Sequence, residues 1–235
     1  MNWSGSGSIS GGAPGATLVI PAGQTLSTTV GPKSIGTVTV NNAGTLALNT
    51  SLTLGGGGLV TLNNSNLIEL QTAGASGISG TTPINNPGTI RSVHGGLVTI
   101  SAPTFTNTGG TLEETSTGTL NLGSTTTNYS GTTTILGNAV NLFVGTHNFA
   151  TGSVVNGQLN LNSNATANFI GTTQTNGQFN NASNQPLTIN GGTLTLNGGM
   201  NWSGSGGILG AGLSPALAIP SGQTLSMTGA GSKGI

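Results

Sequence analysis

Hydrophobic and polar residues alternate in short runs along most of the chain. Thr37–Val40 reads Thr-Val-Thr-Val and Thr193–Leu196 reads Thr-Leu-Thr-Leu. Runs of this kind end at glycine, asparagine or serine, which favour turns, and period-two alternation is typical of a β-strand with one buried face. No segment shows the helical apolar period of an amphipathic helix. The pattern therefore predicts an all-β protein built from short strands.

A regular period of about 22 residues organises the first half of the chain. We call residues that recur at this period a column, and the first column consists of asparagines: Asn41, Asn63, Asn85 and Asn107. Three positions after each asparagine comes a residue that enters the left-handed backbone region at low cost: Gly44, Asn66, Gly88 and Gly110. We expect a positive φ at these four positions, one in each coil. An apolar residue follows in each coil as the second residue of a strand: Leu46, Ile68, Ile90 and Leu112.

The period shortens to about 20 residues in the second half. Gly137, Gly157 and Gly177 form one column, where we expect positive φ in most coils. Doublets of asparagine and an aromatic residue form another column: Asn128-Tyr129, Asn148-Phe149 and Asn168-Phe169. Coils of about 20–22 residues with two or three short strands describe a parallel β-helix, or β-solenoid.

A longer repeat encloses these coils. Residues 1–29 recur without a gap at 200–228, so that Met1 matches Met200. We interpret 1–199 as one full solenoid unit and 200–235 as the start of the next, continuous with the first. Such a unit holds roughly nine or ten coils and rises about 45 Å at the ~4.8 Å spacing between strands. The sequence predicts an excerpt from a tandem array.

Composition removes several classes of function. Only 3% of the 235 residues are charged and the net charge is zero, which predicts no nucleic-acid partner and no anionic membrane surface as a partner. No apolar run reaches the ~18–20 residues of a membrane span, so no membrane insertion is expected. The start of the chain has no charged or apolar signal region. Disordered chains combine low hydrophobicity with high charge, and this chain, with 33% hydrophobic residues, does the opposite.

Residues one coil apart stack in a β-helix, so each column predicts a ladder. The column of Asn41, Asn63, Asn85 and Asn107 can hydrogen-bond amide to amide. Tyr129, Phe149 and Phe169 form an aromatic column that is core if it points inward and a sugar platform if it points outward. Trp3 and Trp202 hold equivalent places in the long repeat, where they fill a wide coil or bind a ligand.

Three of the six charged residues share one column. Glu69, Arg91 and Glu113 follow the same period as the asparagines and come after apolar positions, so alternation points them outward as an acid–base–acid ladder. The enzymatic alternative is a carboxylate pair for glycoside hydrolysis, with Glu69 and Glu113 roughly 9.6 Å apart by strand spacing. Arg91 between them opposes this, because a neighbouring cation lowers the pKa that a general acid needs raised. We therefore expect no enzyme activity.

Other candidate chemistry is sparse. The chain has no Asp, hence no calcium-binding nonapeptide repeat, and no cysteine. His94 and His147 have no nearby metal-ligand partners in the sequence, so no metal is expected. No Gly-x-Ser-x-Gly motif lies in a strand–turn–helix context and no cofactor motif is present.

Three segments carry a family resemblance: the Trp-Ser-Gly-Ser-Gly opening, Ile20–Leu26 and the Asn-Gly-Gly-Thr-Leu-Thr-Leu run at 190–196. They resemble the β-strand repeats of giant bacterial surface proteins, including autotransporter passengers and filamentous-haemagglutinin-like adhesins. The resemblance implies a secreted right-handed β-helix with a structural or adhesive role at the bacterial cell surface. It supplies no ligand, and a surface glycan or a host molecule stays open.

The leading functional hypothesis is a stalk or adhesin array in which neighbouring copies of the repeat stack end to end. A related form is self-association of separate chains into filaments, because the end coils of a solenoid have unpaired strand edges. Ice binding and polysaccharide processing are the alternatives. Ice binding needs a flat ladder of Thr-x-Thr, and two aligned columns break it: Thr37, Leu59, Thr81, Pro103 and Thr39, Thr61, Pro83, Phe105.

Overall fold

The structure is a computed structural model of the chain, and it describes residues 1–12, 15–55, 61–71, 77–137, 139–229 and 233–235. Within these ranges every regular element is a β-strand and no helix occurs. Among the described residues there is accordingly no helix of the length and hydrophobicity that a bilayer crossing requires.

Thirty strands follow one another along the described chain. The first fifteen are β1 (Asn2–Trp3), β2 (Gly7–Ser10), β3 (Thr17–Ile20), β4 (Thr25–Thr28), β5 (Lys33–Gly36), β6 (Thr39–Asn42), β7 (Thr45–Leu48), β8 (Leu52–Leu54), β9 (Leu62–Asn64), β10 (Leu67–Leu70), β11 (Ile78–Gly80), β12 (Ile84–Asn85), β13 (Thr89–Ser92), β14 (Leu97–Ser101) and β15 (Thr104–Thr108). The others are β16 (Thr111–Glu114), β17 (Thr119–Leu122), β18 (Thr126–Ser130), β19 (Thr132–Leu136), β20 (Val140–Phe149), β21 (Val154–Asn156), β22 (Leu159–Ile170), β23 (Thr173–Thr175), β24 (Phe179–Asn181), β25 (Leu187–Asn190), β26 (Thr193–Leu196), β27 (Met200–Trp202), β28 (Ile208–Ala211), β29 (Ala216–Ala218) and β30 (Leu225–Met227).

These strands wind into a β-solenoid of about ten coils with parallel pairing throughout, which confirms the predicted fold class. The successive strand segments of each coil lie on three faces of the solenoid. The first face is the 11-stranded sheet β1-β4-β7-β10-β13-β16-β19-β21-β23-β26-β29. The second face begins with β2 and β5, and the third face begins with β3 and β6. The long strands β20 and β22 each run along both of these faces, which joins them into one 19-stranded sheet.

The core lies inside the coils and is built from the inward half of each alternating strand. On the first face Leu46, Ile68, Ile90 and Leu112 stack in register, each at most 1% exposed. Burying a side chain of this size contributes roughly 1.5–3 kcal/mol. The stacked columns extend this core along the whole axis, and the second residue of each predicted strand start is the one that is buried.

The predicted turn geometry is partly wrong. Gly44, Asn66, Gly88 and Gly110 all lack a positive φ, whereas Gly137 (85°) and Gly157 (100°) have one and Gly177 does not. The glycines that lack it are required by close packing between coils. A Cβ on Gly88 would lie 2.3 Å from the carbonyl oxygen of Asn66 in the preceding coil, and one on Gly177 would lie 2.1 Å from that of Gly157. At these positions glycine recurs because the backbones of successive coils approach each other too closely for a side chain.

Candidate functional site: the charge ladder and the side-chain ladders

Glu69, Arg91 and Glu113 lie directly above one another on the first face, in β10, β13 and β16. Arg91 Nε donates to Glu113 Oε2 at 2.5 Å, and Arg91 Nη1 lies 3.8 Å from Glu69 Oε2. Their side chains are 21%, 36% and 15% exposed in chain order, so the ladder lies on the outer surface. We name these three residues the charge ladder.

The charge ladder is poorly arranged for acid–base catalysis. Arg91 separates the two carboxylates, and the residues that continue the column are apolar: Ala47 before Glu69 and Leu136 after Glu113. Glu69 also accepts a short hydrogen bond from the amide of Gln71. Arg91 is ion-paired with both carboxylates, so a cation and not an open cleft lies between them. The geometry is that of paired surface charges.

The asparagine column divides into two ladders, and the predicted place of Asn107 is wrong. Asn41, Asn63 and Asn85 do stack on the outer side of the third face, with amide-to-oxygen distances of 2.8 and 2.9 Å. The next coil is one residue shorter at this face, so Asn85 pairs with Thr106. Asn107 consequently points into the solenoid and is fully buried.

Asn107 belongs to a second asparagine ladder, which points into the solenoid. Each amide nitrogen donates to the side-chain oxygen of the next residue at 2.7 Å along the series Asn42, Asn64, Asn86 and Asn107. Asn107 Nδ2 then donates to Thr133 Oγ1 at 3.0 Å, and all four asparagine side chains are at most 1% exposed. Buried amides are costly unless they are paired, and this chain of hydrogen bonds pairs all four amide nitrogens, while Asn42 Oδ1 at its start accepts none. The doublets Asn41-Asn42, Asn63-Asn64 and Asn85-Asn86 carried the signal for it.

The same one-residue step changes one of the two columns from which the sequence argued against ice binding, that of Thr39, Thr61, Pro83 and Phe105. Phe105 is buried, and Thr104 takes the outward place that follows Pro83. From there two outward columns run without a break over four coils: Thr104, Thr126, Thr146, Thr166 and Thr106, Asn128, Asn148, Asn168. We name these eight residues the Thr/Asn face. Leu59, a member of the other predicted column, lies outside the described residues.

The aromatic column is part of the core. Tyr129, Phe149 and Phe169 are each 1% exposed. Their rings stack with centroid distances of 4.5 and 4.6 Å and interplanar angles of 8° and 10°. This spacing matches that of the coils, so the stacking follows from the parallel register. A sugar platform is excluded for these three rings because they face inward.

His147 lies beside this column, fully buried, and sequence reasoning missed its role. Its Nε2–H donates to the carbonyl of Val144 at 3.2 Å, which leaves Nδ1 to accept from the hydroxyl of Tyr129 at 3.4 Å. Burial lowers the pKa of His147 from 6.5 to about 4, and the Val144 hydrogen bond opposes part of that shift. Burial likewise raises the pKa of Tyr129. The pair is neutral near pH 7 and structural.

Each tryptophan of the long repeat lies against a lysine. Lys33 Nζ is 5.7 Å from the ring centre of Trp3, and Lys233 Nζ is 5.5 Å from that of Trp202. Lys33 is buried and donates to the carbonyls of Thr29, Val30 and Gly31 at 3.0, 2.8 and 2.9 Å. Since turn carbonyls supply its partners, neither periodicity nor charge pattern could reveal this contact.

The equivalent carbonyls of the two copies receive the two lysines. Lys33 donates to Gly5, and Lys233 donates to Gly204, which is Gly5 of the second copy. The repeat therefore preserves a tertiary contact as well as a sequence.

Among the described residues no group of three metal-ligating side chains comes together. A cavity of about 190 Å³ lies at the N-terminal end of the solenoid and is lined mostly by apolar residues, among them Leu18, Ile20 and Leu26. It contains no charged side chain and is remote from the charge ladder. No protein-family model, no curated protein and no solved structure matches the chain.

Proposed function

We propose that the chain is a structural segment of a long tandem-repeat β-solenoid that forms an adhesive or load-bearing stalk at a bacterial surface. The β-solenoid of about ten coils is its framework. The resemblance of the Trp-Ser-Gly-Ser-Gly and Asn-Gly-Gly-Thr-Leu-Thr-Leu segments to bacterial surface repeats supports the extracellular setting.

One observation supports the proposed stalk. Residues at equivalent positions of the two repeat copies differ in solvent exposure between the two ends of the solenoid. Ile20 is 4% exposed beneath the following coil, whereas its equivalent Ile219 is 40% exposed at the C-terminal end. Conversely, Trp3 is half-buried at the N-terminal end, and its equivalent Trp202 is fully buried upon the preceding coils. Each copy thus buries a residue whose equivalent in the other copy is more exposed.

The test is a two-unit chain, residues 1–199 followed directly by 1–235, imaged by electron microscopy beside the 235-residue chain. We expect a continuous rod that is longer by about 45 Å. Two separate particles joined by a flexible connection would contradict the proposal. Sedimentation velocity of the 235-residue chain over a range of concentrations distinguishes a single stalk segment from chains that associate end to end.

The Thr/Asn face supports a second candidate, binding to an ordered lattice such as ice or a crystalline polysaccharide. Its side chains repeat at about 4.8 Å between coils and about 6.6 Å along each strand. Among the described residues no side-chain partner occupies the hydroxyls of Thr126 and Thr146. If this face binds ice, Thr126→Tyr/Thr146→Tyr abolishes inhibition of ice recrystallisation and Arg91→Ala on the first face does not. Lack of inhibition by the wild-type chain would exclude this function.

A further inference from the structure

The two copies of the long repeat occupy different faces of the solenoid. β1 belongs to the first face, whereas its equivalent β27 belongs to the second. β4 and its equivalent β30 show the same step, from the first face to the second. β3 lies on the third face and its equivalent β29 on the first. Every strand of the second copy is therefore one face ahead of its counterpart.

Local stacking is nevertheless the same in both copies. Asn2 pairs with Ser27 in the next coil, and their equivalents Asn201 and Ser226 pair with each other. The lysine–tryptophan contact is repeated as well. The two copies thus have the same internal structure, and the step between faces is a rigid rotation about the solenoid axis.

The step arises because the repeat does not hold a whole number of coils. From β1 to β27 the chain completes nine coils and one additional face, with β20 and β22 each covering two faces. When units stack without interruption, each unit therefore begins one face further around the solenoid than the unit before it. A unit of nine and one third coils rises about 45 Å.

We infer that consecutive units of the array dock end to end with a rotation of one third of a turn, so that any surface feature moves to the next face in each unit and returns to its own face after three units. This inference rests on the proposed tandem array. The partner of each end is a second copy of this unit. Its first-face strands continue the second face of the unit before it, as β30 continues the column that Asn180 and Asn201 occupy.

The rotation determines what the array presents to its surroundings. The charge ladder of the next unit lies on the second face, and that of the unit after it on the third. One face therefore shows a charge ladder only every 28 coils, about 135 Å. The Thr/Asn face likewise ends within each unit and is presented to all sides in turn, which suits a stalk that meets ligands from every direction.

The 235-residue chain allows a direct test by disulfide trapping, because it contains no cysteine. With the rotation, Asn201 stacks on Asn180 of the second face, so Asn180→Cys/Asn201→Cys forms a disulfide at neighbouring-strand spacing. Without it, Asn201 would lie on the first face like Asn2, next to Gln174, and Gln174→Cys/Asn201→Cys would form the bond. Asn160→Cys/Asn180→Cys, two adjacent outward positions, is the positive control.

We expect mass spectrometry after mild oxidation to find the Asn180–Asn201 and Asn160–Asn180 cross-links and not the Gln174–Asn201 cross-link. Formation of the Gln174–Asn201 cross-link would overturn the rotation. So would the absence of both cross-links to Asn201 when the Asn160–Asn180 control forms.

A three-unit chain with gold clusters on Val93→Cys separates this inference from the proposed function, since Val93 is 37% exposed and accessible to a label. In cryo-electron micrographs we expect a rod with labels at axial steps of about 45 Å on three different sides. A rod with all labels in one row refutes the rotation and retains the stalk. Separate particles refute the stalk itself, and with it the rotation of units.

Discussion

Tyr129 and Phe149 lie with their ring centroids 4.5 Å apart and their planes 8° from parallel, one coil above the other inside the solenoid. Phe149 is also stacked on Phe169, so its ring is enclosed on both faces. We expect Phe149→Ala to lower the free energy of unfolding by about 3–5 kcal/mol. Phe143, in the same strand but 42% exposed, is the matched control, and Phe143→Ala should cost less than about 0.5 kcal/mol. Urea denaturation followed by circular dichroism measures both, and equal losses would contradict the stacked core.

The Tyr129–His147 pair predicts loss of stability in acid. The pKa of His147 is about 4 in the folded chain against 6.5 for an unperturbed histidine. Above pH 6.5 both states are neutral, whereas between pH 6.5 and 4 only the unfolded chain binds a proton. Stability should therefore fall by about 3 kcal/mol as the pH decreases through this window. Urea midpoints at pH 7 and pH 4.5 measure it.

His147→Gln should remove most of this pH dependence while lowering stability at pH 7, because a hydrogen-bond partner of Tyr129 is replaced. His94→Gln is the control and should retain the decrease seen in the wild-type chain. An unchanged slope in the His147 variant would show that other groups cause the acid loss.

The two asparagine ladders predict opposite outcomes for neighbouring residues. Asn86 lies fully buried between Asn64 and Asn107, so Asn86→Ala leaves buried amides unpaired and should cost about 1–3 kcal/mol. Asn85 is exposed, and Asn85→Ala should cost less than about 0.5 kcal/mol. Chemical denaturation of the two variants decides the register, since the reverse order would place Asn85 inside.

These asparagines also show how far the sequence could predict the structure. Alternation and the regular period were sufficient for the β-solenoid and for the stacking of Glu69, Arg91 and Glu113, because period and coil length agree there. The coil that follows Asn85 is one residue shorter, and a one-residue step exchanges the two sides of a strand. A fixed period therefore stacked Asn107 on Asn85 and Phe105 on Pro83. In the structure Asn107 stacks on Asn86 and Phe105 on Ile84, and both are buried. The carbonyl partners of Lys33 lie in turns that follow no period.

Gly88 predicts a steric effect without left-handed strain. Its φ is not positive, yet an added Cβ would lie 2.3 Å from the backbone of the preceding coil. Because the contact atom is backbone, Gly88→Ala must separate the two coils and should cost about 1–3 kcal/mol. Gly95 is the control, since its Cβ would meet only the Thr117 hydroxyl at 3.4 Å. Equal stability of the two alanine variants would contradict the close approach.

The charge ladder predicts a small energetic effect. Arg91 is 36% exposed, so its two ion pairs are screened by water, and exposed pairs contribute about 0.2–1 kcal/mol each. Arg91→Ala should therefore lower stability by about 0.4–2 kcal/mol, and added salt should reduce the difference. Lys33 is the contrasting cation, because it is buried and donates to several carbonyls. Lys33→Met should cost about 3 kcal/mol and be insensitive to salt.

The same variants separate a structural ladder from a catalytic pair. If Glu69 and Glu113 are surface charges, the wild-type chain should release no sugar from a panel of glycans, and Glu113→Gln should differ from it only by a small loss of stability. If they are an acid–base pair, Glu113→Gln must abolish turnover while the fold persists. Chromatography of the glycan digests detects released sugar, and circular dichroism checks the fold. Sugar release that disappears in Glu113→Gln would overturn the structural assignment, because a screened ion pair has no means of changing a bond-breaking rate.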